Sequence, residues 1–388
     1  MSSAPSTLLL YTSVLVGVAA NAVPIPTIPD VLSALGGRIE DTGLYFGIGA
    51  IPGIVLAPIS GYMAGRCGAR NVLVILLLVT SVAGGLSGFA MNTATLMWLR
   101  LIQGCGSAGV INLVLILIAE NFDGTYRRRA LGMNAAVMAG GSALLPFASG
   151  LIAEGAGWRW SFHVFWLGLI PSIAAIVLLP RADKREQFSW ASIAVTARIL
   201  EQERKVHFAL LTGLLSFMIM YGGFVALMPV HLLEIYNFGP GLRGLVFGTA
   251  AIGNFAGSIA QGYIRLTSHT LIVLGFLLLA ASLAGFATSP ALALLIVAIV
   301  IYGLAQGMLL PPMQNLAGSP RDIRAREMGI SIWAGCARAG QTIGPLVTSW
   351  LLIGFTTSAV FAIYAAAAIS AGACSLFARG PLDSGTDN

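Results

Sequence analysis

From Met328 to Ala378 the chain runs 51 residues with a single charged side chain, Arg338. No soluble fold tolerates that, and the pattern repeats along the sequence. Apolar stretches of about 20 residues, the length that crosses a bilayer, follow one another with short polar joints. They fall at 8–29, 42–64, 71–92, 94–119, 131–153 and 161–180, then at 207–232, 242–264, 269–289, 291–316, 327–352 and 355–378. These twelve are spans 1 to 12 below. Composition agrees: 57% of residues are hydrophobic and 9% charged, against about 25% charged in a soluble domain. The expected fold is an all-α membrane protein whose partner is the lipid bilayer itself.

The net charge of +6 is a topology signal and predicts no nucleic acid. Lys and Arg concentrate on the cytoplasmic side of membrane proteins. With the N-terminus inside, sixteen of the 21 basic residues fall on the inner side and three, Arg38, Arg159 and Arg243, on the outer. Arg100 and Arg338 lie within spans. Both termini are therefore expected in the cytoplasm, in a plasma (inner) membrane. MSSAPST has no basic residue ahead of the first apolar run, so a cleaved leader is not expected. Cys67, Cys105, Cys336 and Cys374 stand singly, as do the four histidines. Neither a disulfide nor a metal is expected.

The chain repeats itself at an offset near 200 residues. Gly61-Tyr62 answers Gly262-Tyr263, Gln103-Gly104 answers Gln306-Gly307, and Asn112 answers Asn315. Arg129 and Gly132 match Arg326 and Gly329, while Gly141 and Pro146 match Gly340 and Pro345. Duplicated halves around a midplane site are a transporter architecture. The predicted organisation is a six-helix bundle over 1–180, a cytoplasmic linker over 181–206, a second six-helix bundle over 207–379 and a disordered tail over 380–388. The linker alternates charges with Phe188, Trp190, Ile193 and Val195. It reads equally as an amphipathic helix on the inner surface or as a solvated connection.

Three stretches resemble the major facilitator superfamily, over essentially the whole chain. After span 2, Gly61, Arg66, Gly68 and Arg70 fit its pattern G-x-x-x-D-R-x-G-R-R, with Gly65 in place of the aspartate. In that family the aspartate latches the outward-open state, so the substitution removes one expected contact. In span 4, Arg100, Gln103, Gly104 and Gly106 fit R-x-x-Q-G-x-G. In span 5, Gly141, Pro146 and Gly150 keep part of the G-x-x-x-G-P-x-x-G-G pattern of drug:proton antiporters, Leu145 and Ser149 replacing glycines. GWRWSF, at 157–162, is also typical of that group. Span 11 carries the Gly/Pro pattern again as Gly340, Gly344 and Pro345. Proline removes a backbone donor and glycine permits close helix approach, so these are read as conformational motifs. Simple helix packing needs the same residues.

The resemblance implies twelve helices in two pseudo-symmetric bundles and a transmembrane transporter working by alternating access. It points to a proton antiporter for efflux, with no cofactor, a small-molecule substrate, protons as coupling ion, and a monomer. A charge at the bilayer midplane costs roughly 2.5–3.5 kcal/mol on the mildest scale, so Arg338 is expected to serve the substrate. Further polar or aromatic candidates inside spans are Arg100, Gln103, Asn21, Asn112, Asn134, Tyr221, Asn254, Tyr302, Gln306, Asn315, Trp333 and Gln341. Arg100 faces the cavity or snorkels outward; each of the others serves a ligand or a neighbouring helix. No carboxylate lies mid-span. Two intramembrane arginines without an acid favour an anionic substrate, which makes uptake or exchange of an organic anion the alternative. Asp30 and Glu234, at matching ends of spans 1 and 7, are candidate proton carriers or plain surface acids. An enzyme would need a nucleophile with a base, a metal cluster or paired carboxylates, and none is seen. A non-transporting membrane sensor is the alternative from another class.

Overall fold

The structure is a computed structural model describing residues 4–179, 200–261, 263–264, 266–288 and 291–377. Among these residues, twelve helical stretches occupy the positions of the twelve expected spans. Nine are long and apolar enough to cross a membrane on length and composition alone. The other three are span 1 (Ala4–Ala22), span 8 (Pro240–Ala260) and span 11 (Ile323–Leu352). Most of the predicted linker and the predicted tail lie outside the described residues.

Several boundaries move for identifiable reasons. Span 1 stops as a helix at Ala22 and resumes only as the short helix Ile28–Ala34. Pro24, Pro26 and Pro29 fall within seven residues there, and each removes a helical donor. Span 5 runs Gly124–Ala156, beyond its apolar stretch, because Arg127, Arg128 and Arg129 are good helix formers exposed on its first turns. Span 7 begins at Arg204, so the predicted linker loses its last residues to it. The span continues as Arg204–Ile219, a π-helical segment Met220–Ala226 and Leu227–Tyr236. Leu200 and Val206 pack with Ala325 at the start of span 11.

The chain forms two compact units, one from Met1–Glu186 with Leu232–Gly248, the other from Gln187–His231 with Thr249–Asn388. The sequence repeat would have assigned Leu232–Gly248 to the second half. The structure groups it with the first because the start of span 8 packs on span 5. In unit one, Leu10, Val14, Leu73, Leu77, Val110, Leu113, Val114 and Leu117 form a buried core. In lipid this apolar burial is not the driving force between helices, and an interhelical hydrogen bond contributes about 0.6 kcal/mol on average. Close backbone approach must carry much of the packing. In unit two a Cβ on Gly340 or Gly344 of span 11 would strike the carbonyl of Leu214 or Met218 on span 7.

Candidate functional site

The geometry around Arg100 in unit one begins with a proline. In a regular helix the Ala20 carbonyl would accept from the N–H four residues on, but that residue is Pro24. The orphaned carbonyl is taken by Arg100, whose Nη1 donates to Ala20 O at 2.6 Å and to Gln103 Oε1 at 2.9 Å. Its Nη2 donates to Asn21 Oδ1 at 3.0 Å. The guanidinium lies 5.0 Å from the Tyr45 ring centroid and occupies the space left open by Gly49, where any Cβ would collide with it. Arg100 and Gln103 are buried and Asn21 half-buried. Three of the predicted residues thus converge, and the arginine neither snorkels nor stands open.

Unit two holds the second arginine in a different setting. Arg338 Nη1 donates to Gln341 Oε1 at 3.2 Å, one helical turn along span 11. Both side chains are half-buried. Arg338 has no other side-chain hydrogen bond or ion pair among the described residues, which leaves most of its five donors uncommitted. Pro345 also frees the Gln341 carbonyl from its helical partner. Five residues before Arg338, Trp333 is buried against Gly213 of span 7, with its Nε1 unpaired. Phe217 meets Trp333 edge-on at 6.0 Å and stacks with Tyr221 at 6.4 Å, forming an aromatic row along span 7. That row leads into the π segment, a local form often found at functional positions. The Gly344 carbonyl accepts from Tyr364 Oη at 2.9 Å and Thr348 Oγ1 at 3.1 Å, so the proline-bearing turn is held from span 12.

The remaining candidates divide by exposure. Tyr302 is buried and stacked on Phe224 at 4.0 Å, and Gln306 is buried one turn further on. Asn134 is buried with its Nδ2 3.7 Å from Met138 Sδ. Asn254 is half-buried, while Asn112 and Asn315, the repeat-related pair, are exposed. The motif arginines sit apart from all of these. Arg70 Nη1 donates to Ile176 O and Leu179 O at 3.2 and 3.1 Å, capping the end of span 6, and Arg66 lies over the Tyr62 ring.

Of the two acid candidates, Glu234 is exposed. Asp30 accepts from Arg243 Nη2 at 2.5 Å. Arg243 is fully buried, although charge counting treats it as an outer-loop residue. Its position just inside span 8 was the available signal. Among the described residues no group of three or more His, Cys, Asp or Glu could hold a metal.

The sequence pattern of the Major Facilitator Superfamily matches residues 10–319 and 244–388. The chain belongs to that family. It is 26% identical over 136 residues to the MFS efflux transporter aclA of Aspergillus oryzae (strain ATCC 42149 / RIB 40), covering 35% of this chain and 25% of the relative. It is 28% identical over 159 residues to the multidrug transporter protein MdtP of Bacillus subtilis (strain 168), covering 41% and 29%. The match therefore spans between a quarter and a third of these relatives' lengths. A crystal structure of the nucleoside transporter NupG superposes with TM-score 0.82, covering 96% of this chain and 99% of that one at 12% identity. At that identity the likeness is one of fold, the major facilitator fold.

Proposed function

We propose that this major facilitator protein is a secondary active transporter that exports a small organic molecule by alternating access, in exchange for protons. It would sit in the plasma (inner) membrane with both termini cytoplasmic, as the uneven division of its basic residues suggests. Relatives named as efflux and multidrug transporters support the direction. The observation that carries the recognition step is Arg338, a mid-span guanidinium with one side-chain partner, Gln341, and donors to spare. Trp333 on the same helix, with Phe217 and Tyr221 on the adjoining span 7, supplies an aromatic flank. A ligand with a carboxylate or similar oxygen acceptor fits this arrangement best, because only a charge-assisted bidentate contact uses the free fork of the guanidinium. That same observation favours the second reading, uptake or exchange of an organic anion.

Asp30 is the preferred proton carrier over Glu234. A proton reaching Asp30 competes with Arg243 for the carboxylate, which ties protonation to a contact within the protein. The test is reconstitution into vesicles with an imposed pH gradient, comparing cationic dyes with organic anions. Gradient-driven movement abolished by Asp30→Asn supports the coupling. Transport that ignores the gradient rules it out.

A further inference from the structure

We infer that Ser149 of span 5 is a positioning residue for Asp30: its hydroxyl holds the broken end of span 1 and so fixes where that carboxylate stands. The inference deepens the reading of Asp30 as proton carrier, and takes its functional meaning from it. Every contact it uses lies within unit one.

The break leaves two carbonyls of span 1 without their helical donors. Ala20 O loses its donor to Pro24 and is taken by Arg100 of span 4. Val23 O loses its own for a different reason. In a continuing helix it would accept from the Thr27 N–H, but that group and the Ile28 N–H both turn to Pro24 O, at 3.1 and 3.0 Å. Among the described residues no backbone N–H reaches Val23 O. Val23 is buried, and a buried carbonyl in lipid has no water to bond. Ser149 Oγ donates to it at 2.6 Å, from a position 126 residues further along the chain.

That bond is unusual for a serine inside a helix. Such a hydroxyl commonly bonds the carbonyl four residues earlier, and Ser13, Ser87 and Ser172 do so at 2.7 to 2.9 Å. Ser149 is buried and crosses to another helix instead. The span 5 pattern carries glycine at this position, so the hydroxyl is an addition to that pattern.

From Val23 to Asp30 the chain has little freedom to absorb a displacement. Pro24, Pro26 and Pro29 fix φ at three of the seven residues that follow Val23. The Pro24 carbonyl gathers three donors, the Thr27 and Ile28 N–H groups and Thr27 Oγ1 at 3.1 Å. Asp30 then lies in the first turn of the helix Ile28–Ala34. A shift at Val23 therefore reaches Asp30 as a rigid rotation and is not lost in the turn. Beyond the far end of that helix the tie is longer, Thr93 Oγ1 donating to Leu35 O at 3.4 Å. The shorter bond from Ser149 sets the position.

The test reads position with no substrate present. Nitroxide labels are placed at Ala34→Cys and Tyr126→Cys, both exposed positions, in full-length protein whose four native cysteines are replaced by serine. The first reports the helix that carries Asp30 and the second the inner end of span 5. Their separation is measured by double electron–electron resonance. With Ser149 intact a single narrow distance is expected. Ser149→Ala should shift and broaden it, and Ser149→Thr, which keeps the hydroxyl, should restore it. Should Ser149→Ala fail to insert, Ser149→Cys, with similar size and a weak donor, is read in its place and should show the same change.

An unchanged distance in the variant that inserts overturns the assignment. Equal displacement by Ser149→Ala and Ser149→Thr also overturns it, because packing and not the hydroxyl would then set the segment. In the vesicle assay above, gradient-driven movement of the dye or anion should fall in Ser149→Ala and return in Ser149→Thr. If the distances change as expected while Asp30→Asn leaves that movement intact, the proton-carrier reading fails and the positioning stands. Coupling lost in Asp30→Asn, with distances unmoved by Ser149→Ala, keeps the carrier and removes the positioning role.

Discussion

Arg100 and Arg338 begin from the same local design, an arginine inside a span with glutamine three residues later on the same helical face. They end in opposite conditions. Arg100 is buried and donates to a backbone carbonyl, an asparagine and its own glutamine. Arg338 is half-buried and donates to its glutamine alone among side chains. The difference lies in the neighbouring helix. Span 1 offers Arg100 a carbonyl that Pro24 has stripped of its helical donor, and an asparagine beside it. Span 7 faces span 11 with Gly213, Phe217 and Tyr221, which supply packing and aromatic surface but no acceptor of comparable strength. A charge held by its own protein is a structural element; one left with donors is available to a ligand.

The comparison breaks most directly at Arg338. Arg338→Ala should lower transport by more than about tenfold, since a hydrogen bond to a charged group is worth roughly 1.5–3 kcal/mol, while membrane insertion and thermal unfolding stay near those of the parent. Normal transport by well-inserted protein would sink the assignment. Arg338→Lys should recover little, because an ammonium cannot reproduce the planar fork.

Arg100→Gln should do the reverse, with its main effect on stability. It leaves the Ala20 carbonyl and part of the Asn21 and Gln103 amides buried without a partner, at about 1–3 kcal/mol per orphaned group. A clear fall in the unfolding temperature in detergent is expected. An undisturbed melting curve with lost transport would make both arginines ligand contacts.

Pro24→Ala sharpens the same point at smaller cost. The new N–H competes with Arg100 for Ala20 O, and Arg100 stands to lose about 0.5–1.5 kcal/mol of net hydrogen-bond stabilisation. Added to Arg100→Gln, the substitution should then cost nothing further, which a double-mutant cycle by thermal unfolding would reveal. The smallest effects should come from Asn112→Ala and Asn315→Ala. Both side chains are exposed, and transport rates within about twofold of the parent are expected, in line with surface changes that stay within about 0.5 kcal/mol.

Much of the architecture was legible because a bilayer restricts the answer. Backbone groups in lipid must bond internally, so twenty apolar residues specify a helix with little ambiguity, and the segments fall where hydropathy places them. Span 1 was less legible: its apolar run continues through Pro24, Pro26 and Pro29, and only backbone bonding shows that the helix has ended. Of the site, Arg338 and its turn-mate Gln341 could be paired from spacing alone, since both lie on one helix. Arg243 could not be recognised the same way. Its place just inside span 8 hints at burial, but its partner Asp30 is 213 residues away, and no local pattern names that partner.

The sequence by itself therefore determined the helices, their order and the chemical types within them, because the hydrophobic period and the bilayer thickness act locally along the chain. Tertiary structure alone decided which charges are satisfied. Whether an arginine is locked, ion-paired or left with donors depends on which acceptors a distant helix brings within about 3 Å. The apolar pattern that makes a span is silent on what stands opposite it.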